Sequence, residues 1–166
     1  MYVSDCISVN ERGHLTIGSY DTVELVKQFG SPLYAYDENE IRRNLREFKK
    51  SIDDEYGGNG LVVYASKAFC CKEMARLVAA EECGIDVVSG GELFTALSVD
   101  FPADKIVFHG NNKTYDELVM AVENNVGRII VDNLTELHTL NDIAAEKDKK
   151  IGVMLRIKPG DRKSVV

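Results

Sequence analysis

Lys67 follows the short, almost wholly apolar run Leu61-Val62-Val63-Tyr64-Ala65, with only Ser66 between them. Such a run reads as a buried parallel strand, and Ala68 begins a helical pattern. An ammonium at the mouth of an α/β sheet is poorly hydrated, which favours the neutral amine, a nucleophile for aldehydes. The alternative for this segment is a lysine that snorkels to solvent at a strand end.

Further reactive groups occupy comparable places. Ile85-Asp86-Val87-Val88 runs into Ser89-Gly90-Gly91-Glu92, and Val107-Phe108 into His109-Gly110-Asn111-Asn112-Lys113. Val131 is followed by Asp132-Asn133, and Arg156 lies in the run Ile151-Gly152-Val153-Met154-Leu155-Arg156-Ile157. A lysine, carboxylates, a histidine, amides and an arginine at the C-terminal ends of strands exceed what a solvated rim requires. Each has a structural alternative. Asp86 could be an ordinary polar residue at a strand start, although it interrupts an apolar run. Glu92 could serve only as the reciprocal member of a capping box opened by Ser89. Gly90-Gly91 permits a tight turn and is a weak phosphate signal by itself. His109 could hydrogen-bond beneath a loop, Asp132 and Asn133 read as helix caps, and Arg156 could pair with a structural carboxylate.

The elements that must position these groups repeat. Apolar, β-branched runs start near Leu61, Ile85, Lys105, Arg128 and Ile151, at spacings of 24, 20, 23 and 23 residues. Helical periodicity fills the gaps: Cys71, Met74, Ala75 and Val78 fall at i, i+3, i+4 and i+7. Gly84 is expected to end that helix as its C′ residue. Ser89/Glu92, Thr114/Glu117 and Asn133/Glu136 have capping-box spacing. Alternating β and α elements with short connections imply a parallel sheet with right-handed crossovers. An earlier helix is expected from Asp37 to Tyr56 with the stripe Ile41, Leu45, Phe48 and Ile52. Ahead of it, Leu15-Thr16-Ile17-Gly18 reads as a strand, Thr22 to Phe29 as a small helix and Leu33-Tyr34-Ala35-Tyr36 as an extended segment. This leader, residues 1–35, is expected to join a separate β layer. Five strands do not close an eight-fold barrel, which takes about 250 residues. The sheet is therefore either open and doubly wound or the first part of a longer barrel. The run from Ile151 to Ile157, a strand without a following helix, favours the second.

Composition narrows the function. The 166 residues carry 45% hydrophobic and 28% charged side chains, an ordinary globular balance, and a net charge of −7, which disfavours nucleic acid and anionic membranes as partners. Cys6, Cys70, Cys71 and Cys83 form no C-x-x-C pair, and His14, His109 and His138 are scattered, so no metal site is expected. Cys71 and Cys83 are expected as small packed residues of a helical segment. The N-terminus shows neither a signal peptide nor a membrane span, and a reducing cytoplasm is the expected location.

Tyr64-Ala65-Ser66-Lys67-Ala68, Asp86-Val87-Val88-Ser89-Gly90-Gly91-Glu92-Leu93, His109-Gly110-Asn111-Asn112-Lys113 and Leu155-Arg156-Ile157-Lys158-Pro159-Gly160 carry a resemblance. Through them the chain is similar, from about Leu15 to Gly160, to the N-terminal part of the diaminopimelate decarboxylases, pyridoxal-phosphate enzymes of the alanine-racemase-like barrel class. The resemblance implies a partial (β/α)8 barrel over residues 36–160, made of its first five βα strands, beside a leader belonging to a β domain. It implies that Lys67 carries the cofactor through its ε-amine, that Ala65, Asp86, His109 and Arg156 line the cofactor, and that Glu92 helps to fix Arg156. It also implies an amino-acid substrate, meso-diaminopimelate decarboxylated to lysine, and a homodimer. Decarboxylases of ornithine, arginine or a carboxylated polyamine share the tyrosine–alanine–x–lysine stretch and stand as the alternative. A non-catalytic pyridoxal-phosphate-binding barrel is a further one, opposed by the leader. An open nucleotide-binding domain lacks its glycine-rich motif. Phe69 departs from the asparagine frequent in the family. Residues 161–166 do not resemble it and are expected to be a truncation artefact resembling adapter read-through. The later strands, the glycine-rich phosphate loop, the acid facing the pyridine nitrogen and the cysteine contributed across the dimer are absent from this resemblance, so the chain is expected to be inactive alone.

Overall fold

The computed structural model describes residues 5–157, in two compact units that divide between Lys50 and Ser51. In the first, β1 (Ile7–Val9), β2 (Leu15–Ile17) and β3 (Tyr20–Asp21) form an antiparallel sheet in that order. Helix α1 (Thr22–Phe29) follows at once. Asp21 caps it, its Oδ1 accepting from the Val23 and Glu24 amides at 2.9 and 3.4 Å. Asn10 donates to the other oxygen, which the His14 ring also reaches at 2.9 Å. The His14 contact leads in holding the Asp21 carboxyl down at about 2; burial opposes it, and Asn10 and the two amides reinforce it. The expected extended segment at Leu33 to Tyr36 joins no strand.

Helix α2 (Glu38–Tyr56) spans the division. Its expected stripe is only partly used: Leu45 is buried, whereas Phe48 is 66% exposed. Beyond it, β4 (Val63–Ala65), α3 (Lys72–Ala80), β5 (Gly84–Val87), α4 (Gly90–Leu97), β6 (Ile106–Phe108), α5 (Tyr115–Glu123), β7 (Arg128–Val131), α6 (Leu134–Glu146) and β8 (Val153–Leu155) alternate as expected. The strands form one parallel sheet in sequence order, β4 to β8.

Strand alternation divides the sheet into two unlike faces. Ile85, Val87, Ile106, Phe108, Ile129 and Val131 are at most 3% exposed. They pack with the helix residues Val78, Leu93, Leu118, Val122, Leu140 and Ile143, all equally buried. The opposite face carries Val63, Ala65, Asp86, Val107, Arg128, Ile130 and Met154, brought into line by parallel register, for example Ala65 beside Asp86 and Asp86 beside Val107. Helices on one face only, over a sheet in sequential order, are the layout of a (β/α) barrel and not of a doubly wound sheet, which is covered on both faces.

Four expected helix ends resolve differently. Gly84 does not end α3. Glu82 takes the left-handed conformation, φ 58°, and Gly84 opens β5, where a Cβ would stand 2.6 Å from the Lys105 carbonyl oxygen. Ala68 lies in a 3-10 turn, Ser66–Ala68, and α3 starts later at Lys72. Cys71 is its N-cap, accepting from the Met74 amide, and Cys83 is buried beyond the helix end. Of the three capping boxes, the one at Thr114/Glu117 closes in both directions. Ser89 and Asn133 cap their helices, but the side chains of Glu92 and Glu136 turn elsewhere. Lys158-Pro159-Gly160 and the expected tail at 161–166 lie outside the described residues.

Candidate active site

Lys67 is exposed and sits in the 3-10 turn directly after β4. Its neighbour Ser66 is buried, at 1% exposure. The Ser66 hydroxyl oxygen lies 2.8 Å from the Asp86 carbonyl oxygen and 3.0 Å from a Glu92 carboxylate oxygen, so its single proton is shared between two acceptors. That same Glu92 oxygen accepts from the Val88 amide at 2.6 Å. Glu92 therefore ties the turn holding Lys67 to the end of β5. The resemblance led to a different expectation, that Glu92 fixes Arg156. Instead Arg156 donates to Asp132 at 2.9 Å. Asp132, expected as a cap, serves as this partner while Asn133 caps α6.

Leu61, Val63, Asp86, Val107, His109, Arg128, Ile130, Met154 and Arg156 line an open cavity of about 620 Å³ on the helix-free face, within the usual size of small-molecule sites. Ala65 adjoins it through its register with Asp86. The Asp86 Oδ1 is buried and has no hydrogen-bond partner. Its Oδ2 lies 3.7 Å from the His109 Nδ1, an ion-pair separation too long for a hydrogen bond. Burial pushes the Asp86 carboxyl above the usual carboxylate range; His109 and Lys67 oppose that and Glu92 adds to it. Lys67, Asp86 and His109 thus share one electrostatic neighbourhood, and Arg156 lines the same cavity.

The N-terminus of α4 is already occupied. The Gly90 amide donates to Glu117 at 2.6 Å, so the Gly90-Gly91 pair presents a helix end neutralised by the chain itself. Ser66 and Arg128 escaped the sequence reading. Alternation could have found Arg128, two residues before Ile130 and on its face. Ser66 carries no signal of its own, because its acceptors lie 20 and 26 residues away.

The described residues fit a carbonyl-bearing aromatic cofactor. They offer a carboxylate with an unbonded buried oxygen, an imidazole and a guanidinium around one apolar-walled cavity, and an exposed amine whose charge acts on that carboxylate. Residues 38–166 match the family model described as "Pyridoxal-dependent decarboxylase, pyridoxal binding domain". The chain belongs to this family of pyridoxal-dependent decarboxylases. Among its relatives, diaminopimelate decarboxylase of Bacillus methanolicus is 49% identical over 160 residues, covering 96% of this chain and 37% of that protein. That of Bacillus subtilis (strain 168) is 44% identical, with 96% and 36% covered. The solved structure of diaminopimelate decarboxylase from M. jannaschii superposes with a TM-score of 0.84 at 39% identity, over 94% of this chain and 36% of that one. The chain thus spans a little over a third of the length of these relatives. Among the described residues no helix is long and apolar enough to cross a membrane.

Proposed function

We propose that this chain is the cofactor-anchoring part of a pyridoxal-phosphate-dependent carboxy-lyase that converts meso-2,6-diaminopimelate to L-lysine, the last step of lysine biosynthesis, and that Lys67 is the anchor. The observation that supports it most is a cavity lined by Asp86, His109 and Arg156, with the Lys67 charge acting on Asp86, in a chain 49% identical to a diaminopimelate decarboxylase. A homodimer in the cytoplasm belongs to the same reading, as does a β domain to which residues 1–35 contribute.

The bound cofactor would supply the electron sink for the charge left when carbon dioxide departs. This chain would supply placement and charge. Lys67 offers its amine at the rim, held by a turn that Ser66 and Glu92 fix. Asp86 and His109, 3.7 Å apart, would set opposite charges side by side on the cavity wall. Arg156, braced by Asp132, presents a fixed cation to an anionic oxygen.

Incubation with pyridoxal phosphate, borohydride reduction and peptide mapping should place the pyridoxyl group on Lys67. Label on Lys72 or Lys113 instead would overturn the anchor. A chimera joining this chain to the remainder of the Bacillus methanolicus relative should release carbon dioxide from meso-diaminopimelate in preference to ornithine or arginine. The reverse preference would overturn the substrate.

A further inference from the structure

The chain must leave β6 at His109 and enter α5 at its cap, Thr114, within four intervening residues. Gly110 makes the turn with φ 119°, and a Cβ there would lie 3.1 Å from the Val88 carbonyl oxygen, so the position requires glycine. Lys113 then folds back underneath. Its Nζ donates to the Gly110 carbonyl at 2.6 Å and to the Ile130 carbonyl of β7 at 2.8 Å. It also lies 2.8 Å from Glu136 Oε1 of α6, as an ion pair whose N–H is not aligned on the oxygen. The ammonium stands 5.8 Å from the centre of the Phe108 ring. The side chains of Lys113 and Glu136 are only 1% and 6% exposed.

An ammonium withdrawn this far from water is tolerated only where its protons and charge are matched. Here the matching groups belong to three elements: the loop after β6, strand β7 and helix α6. Phe108 points into the helix-covered core, so Lys113 lies on the side of the sheet away from the cavity. It is not placed to meet a ligand there. It does pin the backbone next to His109. The His109 amide donates to the Val87 carbonyl at 2.8 Å, and the Gly110 carbonyl one residue on is held by Lys113. The chain is fixed on both sides of the His109–Gly110 link.

We propose that Lys113 is a positioning residue: with Glu136 as its counter-ion, it clamps the loop after β6 so that the His109 ring is held beside Asp86 in the cavity. The importance of that placement for catalysis rests on the function proposed above; the clamp itself does not.

The leading groups acting on Asp86 are His109 and Lys67, which favour its ionised form, and Glu92, which opposes it; Arg128 and Arg156 line the same cavity and are unchanged in every variant below. Lys113 is not among the leading groups, and the charge-neutral double variant below removes its own field together with that of Glu136, so a movement shared by both variants reaches Asp86 through His109. The Asp86 carboxyl carbon can be followed by NMR against pH in this chain without cofactor. In Lys113→Met its titration midpoint should move upward, by as much as in His109→Gln. The double variant Lys113→Met with Glu136→Leu removes the stranded carboxylate, keeps the fold and should show the same upward movement. Lys113→Arg, which keeps the cation and its donors, should stay near the parent midpoint. Ile143→Val, a core change in α6, should leave the midpoint alone. A folded double variant whose Asp86 midpoint and His109 ring resonances match the parent, or move no further than in Ile143→Val, overturns the clamp. Labelling of Lys67 by pyridoxal phosphate is a separate readout, so failure of the clamp and failure of the proposed function are distinguishable.

Discussion

At position 86 a carboxylate stands among Val63, Val107 and Ile130, with one oxygen buried and unbonded and the other 3.7 Å from an imidazole. Nothing in this arrangement favours folding. Burial raises the Asp86 carboxyl more than His109 and Lys67 lower it. A raised carboxyl is a stability deficit in the ionised form: the folded state binds the proton more tightly than the unfolded one. The deficit is absent below the unfolded value of about 3.9, grows as pH rises through the folded value and is complete at neutral pH. Asp86→Asn should therefore melt at a higher temperature than the parent at pH 7, and the gap should shrink towards pH 4. The same variant should retain pyridoxal phosphate less well, the usual exchange of stability against function at a site. Thermal melts of both proteins at the two pH values test this. A parent more stable than Asp86→Asn at pH 7 would mean that the ionised carboxylate is held by its partners and not penalised by burial.

Among the elements, one carboxylate serves two helix starts. Glu117 of α5 accepts from the Gly90 amide at the start of α4, and from the Thr114 amide and hydroxyl at its own cap. Burial pushes its carboxyl up, but these bonds and the Lys113 charge outweigh burial and hold it below its ordinary value. A depressed carboxyl stabilises above the unfolded value and loses that contribution as pH falls through the folded one. Glu117→Ala should thus lower stability by about 0.5–2 kcal/mol at pH 7, the range for losing a cap, and by progressively less in acid. Urea titrations at pH 7 and pH 4 measure it, and an equal loss at both would point to packing instead. This bridge also marks the limit of what the sequence discloses. The spacing of Thr114 and Glu117 announces a capping box, and the box forms. Glu92 and Glu136 have the same spacing, yet turn to Ser66 and Val88 and to buried Lys113. A reciprocal cap bond contributes about one net hydrogen bond, so a tertiary partner at the same carboxylate displaces it. Strand starts were legible because near-continuous apolar, β-branched runs encode burial locally. The Arg156–Asp132 and Lys113–Glu136 pairs were not, since each joins residues more than 20 positions apart.

At the scale of the molecule, the second unit is a parallel sheet covered on one side. Parallel sheets are normally buried on both faces, yet here Val63 and Met154 of the helix-free face are 38% and 50% exposed. Within the described residues, β4 and β8 each have one edge without a strand partner. Apolar edges of this kind pair with other chains, and the net charge of −7 opposes that association only at low salt. The chain on its own should sediment as a concentration-dependent mixture of oligomers, heavier as salt is added. It should also turn over meso-diaminopimelate at least ~100-fold more slowly than the Bacillus methanolicus relative, because reacting groups misplaced by about 1 Å already lose that factor. The reason lies in the cavity: its residues come from neighbouring strands of a sheet whose helix-free face no described helix or strand of the second unit covers, and Lys67 and Arg156 are exposed. Sedimentation velocity across a salt series, paired with measurement of released carbon dioxide, checks both halves. A salt-independent monomer turning over at the relative's rate would show that these five strands close off their own face and suffice for the chemistry.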